Sequence, residues 1–303
     1  MKITNPIYKE FIKLDLIKRE NLVKISDVTR DKKIKVYKDK KSEIIFLEKY
    51  TTGIDYYSSF KKKDIKKKEK RDFSIINLKS GKVIKSKTLD DDKRRYITFK
   101  KKLKKKNVLD FGCGWGGFLS YLKNYSRKSS GLELRKHCIN YIKKNLRHID
   151  INNNLNKFKN SFDVITLFHV LEHIPNQVES LKKIKKKLKK NGLLIIEVPC
   201  AKDYLINLQN LPEFKTFTFW SEHLVLHTEQ SLRKILTTAG FKNIKINYFQ
   251  RYGFTNHLGW YLRKKPGGHD YFNKYENKIL DINYKRFLEK NKQADTLIAI
   301  AKK

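Results

Sequence analysis

The sequence predicts an α/β fold in which a mostly parallel sheet carries helices on both faces. From Asn107 onward, short apolar runs alternate with amphipathic stretches, which is the pattern of strands and covering helices. A glycine-rich turn, Gly112 to Gly117, directly follows the first apolar run and indicates a strand, a loop and a helix in succession. The 303 residues, 39% of them hydrophobic, suffice for one core and a smaller lobe.

The hydrophobic pattern assigns the elements between residues 107 and 301. The predicted strands are 107–111, 130–134, 162–168, 192–199, 243–249 and 295–301, with a looser candidate at 149–155. The predicted helices are 117–125, 136–145, 177–189, 228–239 and 275–290. Thr228 and Ser231 stand in the positions of a capping box, and Gly240 stands where a helix-ending glycine is expected.

Residues 1–99 predict a small basic accessory lobe ahead of the α/β domain. Two β-like pieces, 33–37 and 43–47, precede a lysine-rich run at 61–71. The α/β domain then covers residues 100–303 and contains an aromatic insertion at about 250–275.

The chain is strongly basic, with 70 Lys and Arg against 31 Asp and Glu and a formal net charge of +39. Such a charge ordinarily indicates a nucleic-acid or acidic-membrane partner. The lysine runs, however, lack the interleaved aromatic side chains that stack on bases. Lysine, isoleucine and asparagine are all abundant, as A/T-rich codons would produce, so we favour solvated lysines over a dedicated polyanion site.

Several classes of protein are disfavoured by what the sequence lacks. No apolar window approaches the roughly 18 residues of a membrane span, and the amino terminus has no apolar signal-peptide core. Cys113, Cys138 and Cys200 are too few and too far apart for a disulfide framework or a four-cysteine zinc site. We therefore expect a cytoplasmic protein with neither a membrane span nor a bound metal.

The glycine turn carries the first candidate site. Gly112, Gly114 and Gly116 let the backbone turn sharply and approach a ligand at the carboxyl edge of the sheet. The same turn fits the GxGxxG pattern of dinucleotide-binding folds. Asp110, two residues before the first glycine, is a poor neighbour for a pyrophosphate but suits the ammonium and sulfonium of S-adenosylmethionine. Glu133 ends the next predicted strand, where a carboxylate can accept ribose hydroxyls.

Residues 100–302 resemble a class I S-adenosylmethionine-dependent methyltransferase of the small-molecule branch. The first family motif is similar to residues 108–118, the second to 131–133, and a post-strand signature to the HVLEHI of 169–174. The resemblance implies a Rossmann-like sheet of seven strands with an antiparallel last strand at 295–301, and S-adenosyl-L-methionine as cofactor. The cofactor-binding residues that it implies are Asp110, Gly112, Cys113, Gly114, Gly116, Glu133, Leu134, Asp150, Phe168 and His169.

A second resemblance concerns the proton acceptor. The segment FWSEHLVLHT at 219–228 is similar to the Glu-His segment of nucleotide-sugar methyltransferases. The likeness implies that His223 is the general base and that Glu222 orients it, a task that suits a histidine with a pKa near neutrality. His173 is a third catalytic candidate, facing either the acceptor or a backbone carbonyl. A packed loop before a helix cap would explain the same residues without catalysis.

The aromatic insertion resembles a segment of methyltransferases of surface-polysaccharide or nucleotide-sugar pathways. Arg251, Tyr252, Asn256 and His257 precede a Pro-Gly-Gly-His turn and predict acceptor binding, although an ordinary lid packed by tyrosines is the alternative. Residues 169–173 also spell the HxxEH of zinc peptidases. Those enzymes carry the motif on a helix, whereas here it follows a strand, so no metal is expected.

We therefore expect methyl transfer from S-adenosylmethionine to a small polar acceptor, foremost a sugar or nucleotide sugar. Residues 35–57 resemble the zinc-ribbon entry of sugar C-methyltransferases but lack its cysteines, which leaves the accessory lobe without zinc. Three alternatives stay open. They are an RNA-modifying methyltransferase that grips phosphates with its basic lobe, a quinone-type O-methyltransferase, and a catalytically silent scaffold.

Overall fold

The computed structural model describes residues 3–51, 90–208 and 211–303. The described residues divide into two compact units. The first unit comprises those within Met1–Thr52, His169–Lys182 and Ile196–Ala301, and the second those within Gly53–Phe168, Lys183–Ile195 and Lys302–Lys303. The lysine run at 61–71 lies outside the described residues, and the lobe boundary between residues 99 and 100 stays a prediction.

The helices and strands are numbered separately in chain order. The strands are β1 Leu22–Ser26, β2 Val36–Asp39, β3 Ile45–Leu47, β4 Asn107–Phe111, β5 Lys128–Leu132, β6 Ile149–Asn152, β7 Phe162–Phe168, β8 Leu188–Pro199, β9 Val225–Leu226, β10 Lys242–Phe249 and β11 Thr296–Lys302. The α-helices are α1 Pro6–Lys13, α2 Asp90–Leu103, α3 Gly117–Ser120, α4 Lys136–Asn145, α5 Gln177–Lys187, α6 Tyr204–Asn207, α7 Pro212–Thr218, α8 Glu229–Thr238, α9 Phe254–Arg263, α10 Gly268–Tyr271 and α11 Lys278–Lys290. Single 3-10 turns lie at Arg19–Asn21, Leu155–Lys157, Leu171–His173 and Asn273–Tyr275.

The main sheet has seven strands in the order β10-β11-β8-β7-β4-β5-β6. It is mostly parallel, with antiparallel last strands, which confirms the predicted fold class. β4 pairs in parallel with both β5 and β7, and β5 pairs in parallel with β6. The loops that follow β4 and β5 therefore leave the sheet at the same edge, where ligands of open α/β sheets bind.

The central strands are apolar because both of their faces are covered. In β7, six of the seven residues are buried, and near-continuous apolar runs of this kind are typical of parallel strands. The covering helix α4 has the complementary pattern. It buries Cys138 and Ile142 and carries Lys143 and Lys144 in its last turn, where cations are favoured by the helix dipole.

A second sheet of four strands lies in the first unit, in the order β1-β2-β3-β9. Its β3 pairs antiparallel with β9 through Ile45↔Leu226 and Phe46↔Val225. The predicted β-like pieces 33–37 and 43–47 correspond to β2 and β3, while β1 and α1 were not predicted. The amino-terminal strands thus share a sheet with a strand from the second half of the sequence.

None of the helices in the described part of the chain combines the length and apolarity that a bilayer span requires.

Candidate functional site

The glycine turn after β4 has the backbone conformation that only glycine adopts readily. Gly112, Gly114 and Gly116 have φ values of +80°, +56° and +79°, which a side chain would strain. The amides of Gly112 and Cys113 both donate to the Leu132 carbonyl, at 2.8 and 3.0 Å. The turn is therefore fastened to the end of β5, and Gly116 begins α3 as its N-cap.

Asp110 is a buried carboxyl at the end of β4. Its Oδ1 accepts a hydrogen bond from the Thr166 hydroxyl on β7 at 2.7 Å. Burial raises the pKa of Asp110 to about 7, although Thr166 and the charge of Arg95 both oppose the shift. This buried carboxyl is only partly ionised at neutral pH, and a cationic ligand beside it would stabilise the ionised form.

Glu133 follows β5 and binds the glycine turn from the other side. Its Oε2 accepts from the Gly114 amide at 2.8 Å, and its Oε1 accepts from the amides of Leu134 and Arg135 at 2.9 and 3.0 Å. The Arg135 guanidinium adds contacts of 3.2 and 3.3 Å to the two oxygens. The Glu133 carboxylate therefore orders the turn and is fully occupied by donors.

These residues fit S-adenosylmethionine better than a phosphate-bearing cofactor. Two carboxyls, Asp110 and Glu133, flank the glycine turn, and they complement ammonium, sulfonium and hydroxyl groups but would repel a pyrophosphate. One adjustment is required. A carboxylate offers about four acceptor positions, so a ribose hydroxyl at Glu133 has to share or displace the guanidinium of Arg135.

Three further predicted cofactor residues lie around this turn. Phe168, at the end of β7, packs edge-on against Phe118 with ring centroids 5.0 Å apart. The Cys113 side chain is buried and packs against Gly131. A Cβ on residue 131 would lie only 2.6 Å from the Cys113 Sγ. Leu134 is exposed and presents an apolar surface beside Glu133.

Asp150 does not join the glycine turn. Its side chain pairs with Lys128 Nζ at 2.8 Å, and it lines a cavity together with Asn107 and Lys128. Asn107 and Lys128 are the first residues of β4 and β5, so this cavity lies toward the amino ends of the strands. The geometry gives no support to Asp150 as a cofactor ligand, because the glycine turn follows the carboxyl end of β4.

A cluster of ionisable groups, with buried carboxylates and partly buried imidazoles, occupies the first unit and begins at His169. The imidazole of His169 donates from Nδ1 to Glu172 and from Nε2 to Glu197, both at 3.2 Å. Burial and the charge of Arg251 lower the pKa of His169, but the two carboxylates outweigh them and raise it. His169 also has a positive φ of 54°, which is uncommon outside glycine. Its ring is thus held by carboxylates rather than left free for a cofactor.

Glu172, His173 and His223 form a tighter group within this cluster. One ligand atom from each lies within 4.8 Å of the others, and the His173 and His223 rings are 4.9 Å apart. Glu172 is fully buried, and its Oε2 has no hydrogen-bond partner among the described residues. Two imidazoles and a carboxylate could hold a divalent cation. The structure therefore supplies a metal-ligand set that the HxxEH pattern alone did not indicate.

His173 and His223, unlike His169, are uncharged at neutral pH. Burial, and then the neighbouring His173, lower the pKa of His223 to about 3, and burial lowers the pKa of His173 as well. The carboxylate whose charge acts on His223 is Glu172. The predicted partner, Glu222, is buried and makes a backbone hydrogen bond with His173, so its orienting role stays a prediction.

Arg251 joins the cluster from the end of β10. Its Nε donates to Asp295 Oδ1 at 3.3 Å, and its Nη1 lies 3.4 Å from His169 Nε2. The neighbouring Tyr252 is exposed, with the Arg251 guanidinium 5.2 Å from its ring centroid. Tyr252 is therefore accessible while Arg251 is held by Asp295 and His169, and the part of both residues in acceptor binding stays a prediction.

Asn256 and His257 make hydrogen bonds within the first unit. Asn256 Nδ2 donates to His269 Nδ1 at 3.2 Å, which links α9 to the Pro-Gly-Gly-His turn. The Tyr284 hydroxyl lies 2.7 Å from His257 Nδ1, and burial lowers the pKa of His257 to about 4. Both side chains thus hold α9 in place, and their predicted part in acceptor binding is untested.

Four residues of these sites were missed from the sequence: Arg135, Thr166, Glu197 and Asp295. Glu197 lies inside the apolar run LLIIEVP, and a carboxylate within a strand that reads as fully buried is itself a signal of a buried ion pair. Thr166 likewise interrupts an apolar strand. Arg135 and Asp295 stand at element boundaries, where charged residues are common and give no such signal.

The Methyltransf_23 family, described as a methyltransferase domain, matches residues 86–246. An uncharacterized protein of Methanocaldococcus jannaschii is 35% identical over 120 residues, 36% of this chain and 48% of that protein. A ubiquinone biosynthesis O-methyltransferase of Coxiella burnetii is 30% identical over 108 residues, 33% of this chain and 46% of that enzyme. The chain spans about half the length of these curated relatives.

Among solved structures, a SAM-dependent methyltransferase from Archaeoglobus fulgidus has a TM-score of 0.46 and 22% identity, over 69% of this chain and 90% of that chain. The family match extends over more than half of the sequence and contains the glycine turn with Asp110 and Glu133. The chain therefore belongs to the Methyltransf_23 family of S-adenosylmethionine-dependent methyltransferase domains.

Proposed function

We propose that the protein transfers a methyl group from S-adenosylmethionine to a small polar acceptor, foremost a sugar or nucleotide sugar. The observation that carries this proposal is the cluster of partly buried histidines and buried carboxylates in the first unit, with Arg251 at its margin. Imidazole, carboxylate and guanidinium groups together offer donors and acceptors for a polyhydroxylated ligand. The Oε2 of the buried Glu172, which has no hydrogen-bond partner among the described residues, would gain one from a ligand hydroxyl but not from an apolar acceptor.

The cofactor supplies a methyl group on a positively charged sulfur. Asp110 holds its ammonium, Glu133 holds its ribose once Arg135 has moved aside, and the exposed Leu134 packs against its base. The glycine turn leaves the backbone open to close approach. The rate enhancement then comes chiefly from holding donor and acceptor in line.

His223 takes the proton of the attacking hydroxyl in this proposal. It is uncharged at neutral pH, since burial lowers its pKa to about 3, so its lone pair can accept a proton. The same low pKa makes it a weak base, and the neighbouring Glu172 carboxylate stabilises the imidazolium that results. The His173 ring meets the His223 ring edge to face, with an interplanar angle of 77°.

Substituting His223 tests this role. We expect His223→Ala to bind the cofactor with unchanged affinity and to lose about 100-fold or more in turnover, the usual contribution of general acid–base catalysis. Titration calorimetry and methyl transfer from labelled cofactor measure the two quantities. Trp220→Phe, which keeps an aromatic ring beside His223, is the matched control and should retain turnover.

A chelator distinguishes a base from a metal ligand at the same residue. If His223 acts as the base, EDTA leaves wild-type turnover unchanged. Loss of turnover with EDTA that Mg²⁺, Mn²⁺ or Zn²⁺ restores would assign Glu172, His173 and His223 to a cation instead, and would remove His223 from the proton-transfer step.

The acceptor is identified by incubating the protein with labelled cofactor and two panels of compounds. One panel contains nucleotide sugars, and the other contains quinone precursors with a free hydroxyl. A labelled nucleotide sugar supports the proposal. Label in the quinone panel alone would favour the second candidate, a quinone-type O-methyltransferase, which the similarity to the Coxiella enzyme supports. Label in neither, with the cofactor bound, would contradict both.

A further inference from the structure

The exposed apolar side chains of the described residues are concentrated in one region. Of the twelve large apolar side chains that are exposed there, eight lie between residues 261 and 287. They are Tyr261, Leu262, Tyr271, Tyr275, Ile279, Leu280, Ile282 and Phe287. Single exposed apolar residues need no explanation, but a concentration on neighbouring elements marks an interaction surface.

These residues lie on elements that pack together within the first unit. α9 contacts both α10 and α11. A Cβ on Gly259 would lie only 2.3 Å from Gly268 Cα, so α9 and the start of α10 touch through their backbones. The three helices and the turn at residues 273–275 therefore form one continuous surface, here called the α9–α11 face.

Helix α11 has one side packed against the first unit and another side that carries exposed apolar residues. Its inner side is fixed by Leu288, which is buried, and by Tyr284, which hydrogen-bonds to His257. Its outer side carries Ile279, 72% exposed, and Phe287, 58% exposed. A surface helix normally turns polar residues outward. The reversed pattern indicates that something covers this side.

Cationic groups stand directly beside the exposed rings. The Arg263 guanidinium lies 3.9 Å from the centroid of Tyr271, and Lys274 Nζ lies 4.8 Å from that of Tyr275. Further lysines and an arginine on the same segment, at positions 264, 265, 278, 285, 286 and 290, outnumber its four acids at 270, 276, 281 and 289. The face is therefore both apolar and positively charged.

We propose that the α9–α11 face docks on an anionic lipid membrane. Aromatic rings with adjacent lysines and arginines suit the headgroup region, while aliphatic side chains enter the acyl boundary. A second copy of the chain is the weaker occupant, because two surfaces of the same positive charge repel each other. RNA is also weaker: the exposed tyrosines could stack on bases, but the aliphatic side chains of Ile279, Leu280 and Ile282 have no counterpart in a polyanionic, polar ligand, whereas a bilayer accepts them.

Vesicle binding tests this inference independently of methyl transfer and of the acceptor. The full-length protein is sedimented with phosphatidylcholine vesicles that contain about 30% phosphatidylglycerol, at physiological salt, and with phosphatidylcholine alone. We expect binding to the anionic vesicles and at least tenfold weaker binding to the neutral ones. Equal binding to both would contradict an anionic partner.

Two pairs of variants separate the face from the overall positive charge of the chain. Ile279→Ser/Phe287→Ser should lose vesicle affinity at least tenfold, whereas Ile97→Ser, at an exposed apolar residue of α2, should not. Lys264→Gln/Lys265→Gln should lose more affinity than Lys101→Gln/Lys102→Gln. An unchanged thermal unfolding midpoint in every variant shows that the fold is intact.

Three outcomes would overturn the proposal. Wild-type affinity in Ile279→Ser/Phe287→Ser would show that the overall charge alone binds lipid. A dimer in light scattering that this variant abolishes would mean that a second copy covers the face. RNA binding that the same variant abolishes, in the absence of vesicle binding, would assign the face to nucleic acid.

Discussion

Asp110 connects the titration of one side chain to the binding of the cofactor. Burial raises its pKa to about 7, against the opposing effects of Thr166 and Arg95. A carboxyl with this pKa is half protonated near neutral pH, so part of the protein cannot offer a negative charge to an ammonium group. The cofactor has to shift this equilibrium when it binds.

Cofactor affinity should therefore rise with pH up to about 7 and then level off. Below that pH, each unit of acidification costs about tenfold in affinity, because Asp110 must first release its proton. Above about 8, the cofactor's own α-amino group loses its charge, and affinity falls again. Calorimetry between pH 5.5 and about 8.5 measures the profile.

Asp110→Asn should weaken binding at neutral pH and abolish the rising limb of that profile. Asp150→Asn is the matched control, since Asp150 pairs with Lys128 and should leave both affinity and profile unchanged. A rising limb that persists in Asp110→Asn would show that another group titrates.

Arg135 competes with the ribose for Glu133. The Arg135 side chain is mostly buried and lies 3.2 and 3.3 Å from the Glu133 oxygens. Arg135→Ala should raise cofactor affinity by up to about fivefold, the usual strength of a partly exposed ion pair. Glu133→Ala should lower affinity at least tenfold, because it removes the ribose acceptor and also frees the Gly114 amide. An Arg135→Ala variant that binds more weakly would instead make Arg135 a cofactor ligand.

The ends of helices and strands were predictable where residues of the same segment determine them. β4, β7 and α4 match their predicted bounds to the residue, since each joins an unbroken hydrophobic pattern to a clear stop. The capping box of Thr228 and Ser231 is also confirmed, with Ser231 replacing the usual acidic residue. These elements depend on short-range chemistry that the sequence displays directly.

Boundaries that depend on pairing were displaced. β5 begins at Lys128, two residues before the predicted start at Ser130, because β4 pairs with it from Asn107↔Lys128 onward. β8 starts at Leu188, inside what reads as the lysine-rich end of a helix. α3 ends at Ser120 rather than at residue 125. Partner strands decide such limits, and hydrophobic periodicity does not reveal them.

The candidate sites also differ in how far the sequence could predict them. The glycine turn, Asp110 and Glu133 lie together because they follow adjacent parallel strands. The cluster around Glu172 was harder to foresee, since it unites His169, His223 and Arg251 from well-separated parts of the chain. Its buried members, Glu172 and Glu197, gain their partners only when the first unit folds.

The N-cap residue of α6, Asp203, makes the stability of the protein depend on pH. Asp203 accepts from the Leu205 amide at 2.9 Å, yet burial and the charge of Asp295 raise its pKa to about 8. The native state therefore binds a proton that the unfolded chain has released. Stability accordingly falls as the pH rises from about 4 to about 8, and is constant above that range.

Asp203→Asn should keep the cap, because asparagine caps helices as well as aspartate does. It should also remove the buried charge and raise Tm by a few degrees at about pH 8, with no gain at about pH 4. Thermal unfolding at both pH values measures the difference. A gain of the same size at both pH values would mean that ionisation of Asp203 is not the cause.

At the scale of the whole molecule, the first unit is assembled from three stretches that are far apart in the sequence. Its amino-terminal strands pair with β9, and its core joins Ile34, Val36 and Ile45 to Phe219, Leu226 and Trp260. Such non-local pairing must overcome the entropy of closing long loops. Single buried polar residues that join the stretches should therefore have a large effect on stability.

Asn5 is such a residue. It is fully buried, its Nδ2 donates to the carbonyls of Leu47 and Leu224 at 2.8 and 2.9 Å, and its Oδ1 caps α1 at the Ile7 amide at 3.0 Å. Asn5→Ala removes three buried hydrogen bonds, although the Leu224 carbonyl keeps the Leu47 amide at 3.2 Å, and should cost about 2–4 kcal/mol of unfolding free energy. Urea denaturation measures this change. The exposed Lys9→Ala on the same helix should be neutral, and an equally neutral Asn5→Ala would show that the first 51 residues do not stabilise the first unit through this contact.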